Sequence, residues 1–166
     1  MKIDKPNYEL AENKAVELLK KNKIEEPVVP IFDIANAEGI KLKFVKMPEK
    51  LQNVAGFFDP ESKTIFINET DAPNRQTFTI AHELGHYILE HKPNEYGVLL
   101  RIPNLIEINS KEKEANCFAA NLLVPSEMLK EKIKRYNNIK PDAILLAEIF
   151  GVSEEVMRHR LSWVIK

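Results

Sequence analysis

The stretch His82-Glu83-Leu84-Gly85-His86 constrains this chain more than any other part of it. A helix turns about 100° and rises about 1.5 Å per residue, so positions four apart are offset by only about 40° and about 6 Å. On a helix, therefore, the imidazoles of His82 and His86 share one face and can hold a single tetrahedral cation. Glu83 sits about 100° further round, beside such a cation rather than under it. From there it can reach an attacking water without taking a coordination position, as a general base must. Three of the four histidines in the chain fall between positions 82 and 91.

Gly85 lies between the two candidate ligands and lowers helix propensity by roughly 1 kcal/mol relative to alanine. A glycine there lets another element approach the helix backbone closely. The plain alternative is an amphipathic core helix whose histidines fall four apart by accident. Phe78, Ala81, Leu84, Ile88 and Leu89 supply enough apolar surface for one.

The rest of the chain frames this helix. Tyr8 to Asn22 carries a helical stripe of Leu10, Ala11, Ala15, Leu18 and Leu19, broken by Pro27 and Pro30. A short helix is expected from Ile31 to Glu38, with Gly39 as its stop. The period then changes: Ile40, Leu42 and Phe44 alternate with Lys41 and Lys43 as a half-buried strand, apolar side inward. Val54 to Phe58 and Thr64 to Asn68 flank a turn-rich link and read as a β-hairpin. Pro73 resets the chain for the motif helix, from about Asn74 to about Glu90. A loop with Pro93, Asn94, Gly97 and Pro103 follows. Next comes a helix capped by Ser110 and ended by Pro125, then one capped by Ser126. Asp142 to Phe150 and Ser153 to Trp163 read as two more helices about Gly151. The fold class is α+β, with a small early sheet and helices after it. We divide it as a core over residues 1–136 and a C-terminal helical extension over 137–166 packed on it.

Two histidines leave a catalytic zinc one protein ligand short. No other histidine has an evident local pairing, so a carboxylate is expected, and Glu112 and Glu114 both open the later helix. Either can simply complement the helix dipole in its first turn. Glu114 shares a face with Phe118 at the edge of the apolar stripe, where a partly desolvated carboxylate wants a cation. That favours Glu114 without excluding Glu112.

Net charge is −1, with 30 % charged residues spread along the chain, which argues against broad capture of nucleic acid or anionic membrane. Cys117 is the single cysteine, so there is no internal disulfide and no cysteine-based metal site. It reads as a buried small hydrophobe. The first residues have no apolar signal region and no stretch approaches 18 apolar residues, so a cytoplasmic protein without a membrane span is expected.

The sequence resembles the ImmA/IrrE family of zincin-like anti-repressor metallopeptidases. The matching stretches are Arg75 to Tyr87 around the motif, Glu114-Ala115-Asn116-Cys117-Phe118-Ala119-Ala120, and Leu122-Leu123-Val124-Pro125. The hairpin with Gly56 and Ile65-Phe66-Ile67-Asn68 is similar as well. The resemblance implies a zincin-like core and Zn2+ as cofactor. It implies Glu114 as the third metal ligand beside His82 and His86, which settles the choice against Glu112. It further implies an endopeptidase, with Glu83 as its base, that cuts a helix-turn-helix transcriptional repressor in a mobile-element or stress-response circuit. The rival is a non-catalytic regulator that binds a repressor or other protein through the same fold; an intact Glu83 weighs against it.

His91, Tyr87 and Tyr96 are weaker candidates. His91 can contact substrate or an oxyanion, or decorate a helix end where a cation is favoured. Tyr87 and Tyr96 are possible oxyanion donors, although Tyr87 lies about 100° off the ligand face and fits packing better. Ala147 to Met157, with Gly151 as its turn, has the outline of a helix-turn-helix. Arg158, His159 and Arg160 could then touch phosphates. Glu154 and Glu155, at the start of the supposed recognition helix, would repel DNA, so direct DNA binding is disfavoured.

Overall fold

The computed structural model describes residues 5–92, 110–136 and 142–165. Helix α1, Tyr8–Lys21, is capped by the Asn7 side chain, which accepts from the Leu10 N–H. Helix α2, Ile31–Ala37, ends before Gly39, whose φ of +77° is the left-handed conformation that a glycine adopts without strain. Strands β1 (Lys41–Val45), β2 (Gly56–Asp59) and β3 (Thr64–Asn68) form one sheet in the order β1-β3-β2. The hairpin β2–β3 is antiparallel as expected, and β1 adds parallel to the other side of β3. This leaves β3 central, with Ile65 and Ile67 fully buried.

The strand pattern is less regular than the sequence suggests. Ile40 is buried, but Phe44 is 41 % exposed and stacks on Phe32, centroids 6.0 Å apart, rather than entering the core. An edge strand meets solvent along one side, and α2 supplies the aromatic partner there.

Helix α3, Pro73–Ile88, carries the motif and places Pro73 in its first turn, where a missing N–H leaves no bond unmade. Asn68, at the end of β3, ties the sheet to the start of α3. Its buried amide donates to the Val54 carbonyl at 3.3 Å, and its own carbonyl accepts from the Gln76 side chain at 3.1 Å. Helix α4, Ser110–Leu123, packs against both α1 and α3. Helix α5, Ser126–Arg135, has Pro125 rather than Ser126 at its cap position. The Ser126 hydroxyl instead accepts from Arg160 at 2.8 Å.

Helices α6 (Ala143–Phe150) and α7 (Glu154–Val164) are capped by Asp142 and Ser153 and joined through left-handed Gly151. Leu146, Ala147, Phe150 and Met157 enter the same apolar cluster as Leu84, Phe118 and Leu122. Arg160 is buried at 3 % exposure and donates from Nε to the Val124 carbonyl at 3.1 Å. It is therefore unavailable to a phosphate, and Arg158 is engaged by Glu154 one turn back at 2.7 Å.

Candidate metal centre

The last two turns of α3 are buried from Thr79 to His86 because this stretch lies between the sheet and α4. Two glycines make that possible. A β-carbon on Gly56 of β2 would lie 2.6 Å from Thr79 Cγ2, and one on Gly85 would lie 2.9 Å from the Phe118 ring. The sheet and α4 thus approach α3 more closely than larger residues would permit.

Within this packing, His82 and His86 direct their Nε2 atoms at one another, 3.0 Å apart. The carboxylate that joins them belongs to Glu112. Its Oε2 is 3.2 Å from His82 Nε2, and its Oε1 is 3.2 Å from His86 Nε2. Glu114, expected as the third ligand, is turned away from the pair. It binds His91 Nε2 through Oε2 at 2.8 Å and the Asn7 backbone N–H through Oε1 at 2.6 Å. Two residues of helix are about 200° of rotation, so the two carboxylates cannot present the same way. The face of α4 that meets α3 carries Glu112, Ala115 and Asn116, because Ala115 and Phe118 rest on Gly85.

Asn116 was missed in the sequence and belongs to this site. Its Oδ1 lies 3.0 Å from His82 Nδ1. A signal was present: Glu112 and Asn116 are four apart, one helical turn, and both meet His82. Tyr87, in contrast, packs edge-on against Phe58, centroids 5.6 Å apart, as a hydrophobic residue. Tyr96 lies outside the described residues.

The donor geometry suits a small tetrahedral cation. Donors about 2.0–2.1 Å from a tetrahedral zinc are about 3.3 Å from each other, close to the 3.0–3.2 Å seen among His82, His86 and Glu112. Among the described residues these three form the single group of His, Cys, Asp and Glu side chains able to hold a metal ion. The electrostatics agree. Burial by itself would raise the Glu112 carboxyl, but hydrogen bonds and charge from the two imidazoles hold it well below the usual carboxylate range. Burial pushes the His86 ring below the ordinary imidazole value, against the opposing effect of its hydrogen bond to the Glu112 carboxylate. An ionised carboxylate and a neutral imidazole are the forms that ligate metal. Glu83, next to His82, is buried at 1 % exposure.

Residues 35–162 match the IrrE N-terminal-like domain family, Peptidase_M78. The chain belongs to this ImmA/IrrE family of metallopeptidases. It is 33 % identical over 120 residues to the radiation response metalloprotease IrrE of Deinococcus radiodurans, covering 70 % of this chain and 34 % of that protein. It is 32 % identical over 102 residues to the metallopeptidase ImmA of Bacillus subtilis, covering 60 % of this chain and 56 % of ImmA. The chain thus spans about a third of IrrE and about half of ImmA. A Mycobacterium tuberculosis transcriptional regulator shares the fold with a TM-score of 0.65 at 17 % identity, over 93 % of this chain and 46 % of the other. The match to the family extends into α7, so the C-terminal helices fall within it.

Proposed function

We propose that this chain is a zinc-dependent endopeptidase that hydrolyses a peptide bond in a helix-turn-helix transcriptional repressor. The observation that carries the reading is the convergence of His82, His86 and Glu112, with Glu83 one residue along α3. The family membership supports peptide hydrolysis; the repressor and the regulatory setting rest on the ImmA/IrrE resemblance. Zinc suits a donor set of two imidazoles and a carboxylate, and when bound it supplies Lewis acidity that activates water and polarises the scissile carbonyl.

The residues of the chain supply the remaining chemistry. His82 and His86 offer Nε2 lone pairs, and Glu112 offers a carboxylate held ionised by its neighbours. Glu83 accepts a proton from the attacking water and passes one to the departing amine as the C–N bond breaks. Its burial keeps bulk water from competing for that proton. Strand β2 has an unpaired outer edge among the described residues, and its Gly56 and Phe58 lie against Thr79 and Tyr87 of α3. An extended substrate segment that adds to this edge passes alongside the motif helix. Among the described residues no helix is long and apolar enough to cross a membrane.

The test is incubation of the zinc-loaded chain with a helix-turn-helix repressor encoded by a neighbouring gene, followed by electrophoresis and mass spectrometry. Cleavage at one bond by the wild type, and none by a Glu83→Gln variant with full zinc content, is the expected result. Continued cleavage by that variant overturns the role of Glu83. Tight repressor binding without cleavage by the wild type would turn the reading to a non-catalytic regulator.

A further inference from the structure

Gly56 and Phe58 of β2 face α3, so Phe57 between them points to the opposite side of the sheet. There it ends a row of side chains that crosses all three strands. Register sets Lys43 of β1 opposite Phe66 of β3, and Phe66 opposite Phe57. The Lys43 ammonium lies over the Phe66 ring, 5.8 Å from its centroid, and the Phe66 and Phe57 rings stack at 4.9 Å with 17° between their planes. Neighbouring strands are about 4.7–4.9 Å apart, so the rings repeat in step with the backbone. On the β1 side a cation closes the row. On the β2 side it stops at Phe57, which is half-buried and has no further strand beside it among the described residues. The other outward side chain of β2, Asp59, is taken up by its own turn. It accepts from the Ser62 hydroxyl at 2.5 Å and from the Glu61 N–H at 3.1 Å. An aromatic side chain on an edge strand invites pairing, whereas edges that must stay free carry charge or proline.

We propose that Phe57 is a specificity-determining residue that stacks against an aromatic side chain of the substrate. The inference rests on the addition of an extended substrate segment to β2, as the proposed function has it. Alternate side chains of such a segment lie on the two faces of the sheet. Those on one face turn towards α3, and those on the other meet the row of Lys43, Phe66 and Phe57. The substrate residue opposite Phe57 lies one strand spacing from it, the interval at which the two phenylalanines already stack. A ring at that position covers the open side of Phe57 and continues the row. Aromatic pairing of this kind favours a ring over a small side chain by about 2–12-fold. The occupant is an extended peptide rather than a second copy of this chain, because the same strand lies against the helix that carries His82, Glu83 and His86. Selection by Phe57 thereby acts on the face of the bound segment that points away from the metal donors.

Random peptides displayed on phage, selected on the immobilised, zinc-loaded Glu83→Gln chain, supply the probe. The retained peptides should share Phe, Tyr or Trp at one position. A double-mutant cycle read by fluorescence anisotropy then uses one retained peptide, with its aromatic residue or with alanine in its place. Each form is titrated against the chain with Phe57 and with Phe57→Thr, threonine being a side chain that suits a strand. Each single change should weaken binding by about 2–12-fold, and the double change should cost no more than either alone. Phe57→Tyr should bind as Phe57 does. Equal losses for both peptides in Phe57→Thr, as a merely structural role gives, or retained peptides without a shared aromatic residue, overturn the proposal. So does a dimer of the free chain that Phe57→Thr dissociates, since it assigns the edge to a second copy. Hydrolysis is scored separately with the wild type: a peptide that couples to Phe57 and stays intact refutes the proposed function and leaves the subsite standing.

Discussion

Gly85 and Phe118 meet so closely that no side chain fits between them: a β-carbon at position 85 would lie 2.9 Å from the ring. The contact sets the distance between α3 and α4, and with it the reach of Glu112 to the two histidines. Alanine at this position gains up to about 1 kcal/mol of helix propensity. Overpacking against a buried ring nevertheless makes Gly85→Ala a net loss, on the order of 1–3 kcal/mol. Denaturant unfolding should show this loss, together with weaker zinc binding. Wild-type values in both would mean that the contact does not set the spacing.

Glu112→Ala removes an oxygen donor rather than an orienting group. Its zinc affinity should fall by more than the roughly 100-fold upper end for outer-sphere partners. After dialysis against a weak chelator, the variant should retain far less than one zinc per chain. Full occupancy would remove Glu112 from the ligand set.

Zinc should stabilise the fold, because its donors come from two separate helices. At a free zinc concentration about a thousand times its Kd, binding contributes roughly 4 kcal/mol. For a chain of this size that corresponds to a Tm change of about 8–16 °C. Calorimetry with and without a strong chelator measures the difference, and equal Tm values would contradict a cation bridging α3 and α4.

Acid should weaken the metal-free fold. Burial lowers the His86 ring from its ordinary value of 6.5, so the unfolded chain takes up that proton first. The unfolded state then binds more protons, and stability falls as pH drops below about 6.5 towards the folded value. The depressed Glu112 carboxyl acts with the same sign below its ordinary 4.5. Denaturation midpoints at pH 7.5, 6.5 and 5.5 should decline in that order. In His86→Gln the step between 6.5 and 5.5 should shrink.

Arg160→Ala should destabilise the chain by roughly 2–3 kcal/mol, since it leaves buried groups without their charged donor. The Val124 carbonyl and the Ser126 hydroxyl lose their partner, while the zinc donors are untouched. A drop in the denaturation midpoint with unchanged zinc affinity is the expected pair of results. Unaltered stability would mean that α7 is not anchored through this guanidinium.

Some of this was legible in the sequence because the signals are local. The 3.6-residue period predicted α1 and α3, the turn-rich link predicted the hairpin, and helices expected from Asp142 and from Ser153 begin one residue later in each case. A close neighbour at Gly85 was implied by the glycine itself, although not that α4 supplies it. The third carboxylate was not legible in the same way. Position 114 sits at the edge of the apolar stripe, but which face of α4 meets α3 depends on Phe118 seating over Gly85, a long-range contact. The parallel pairing of β1 with β3 is equally non-local. Phe44 looked inward because alternation gives a strand two faces without saying which is covered.

The left-handed turn at Glu90 brings His91 Nδ1 to 2.9 Å from His86 Nδ1, which makes the interval between the two residues a fixed gauge. One residue inserted after Leu89 would spare the helix and both inner imidazoles, yet carry the outer ring out of register with its neighbour. Variation in the length of this short tail is therefore far less tolerable than variation in its composition, and residue 90 itself is open to glycine, which takes that backbone conformation without strain.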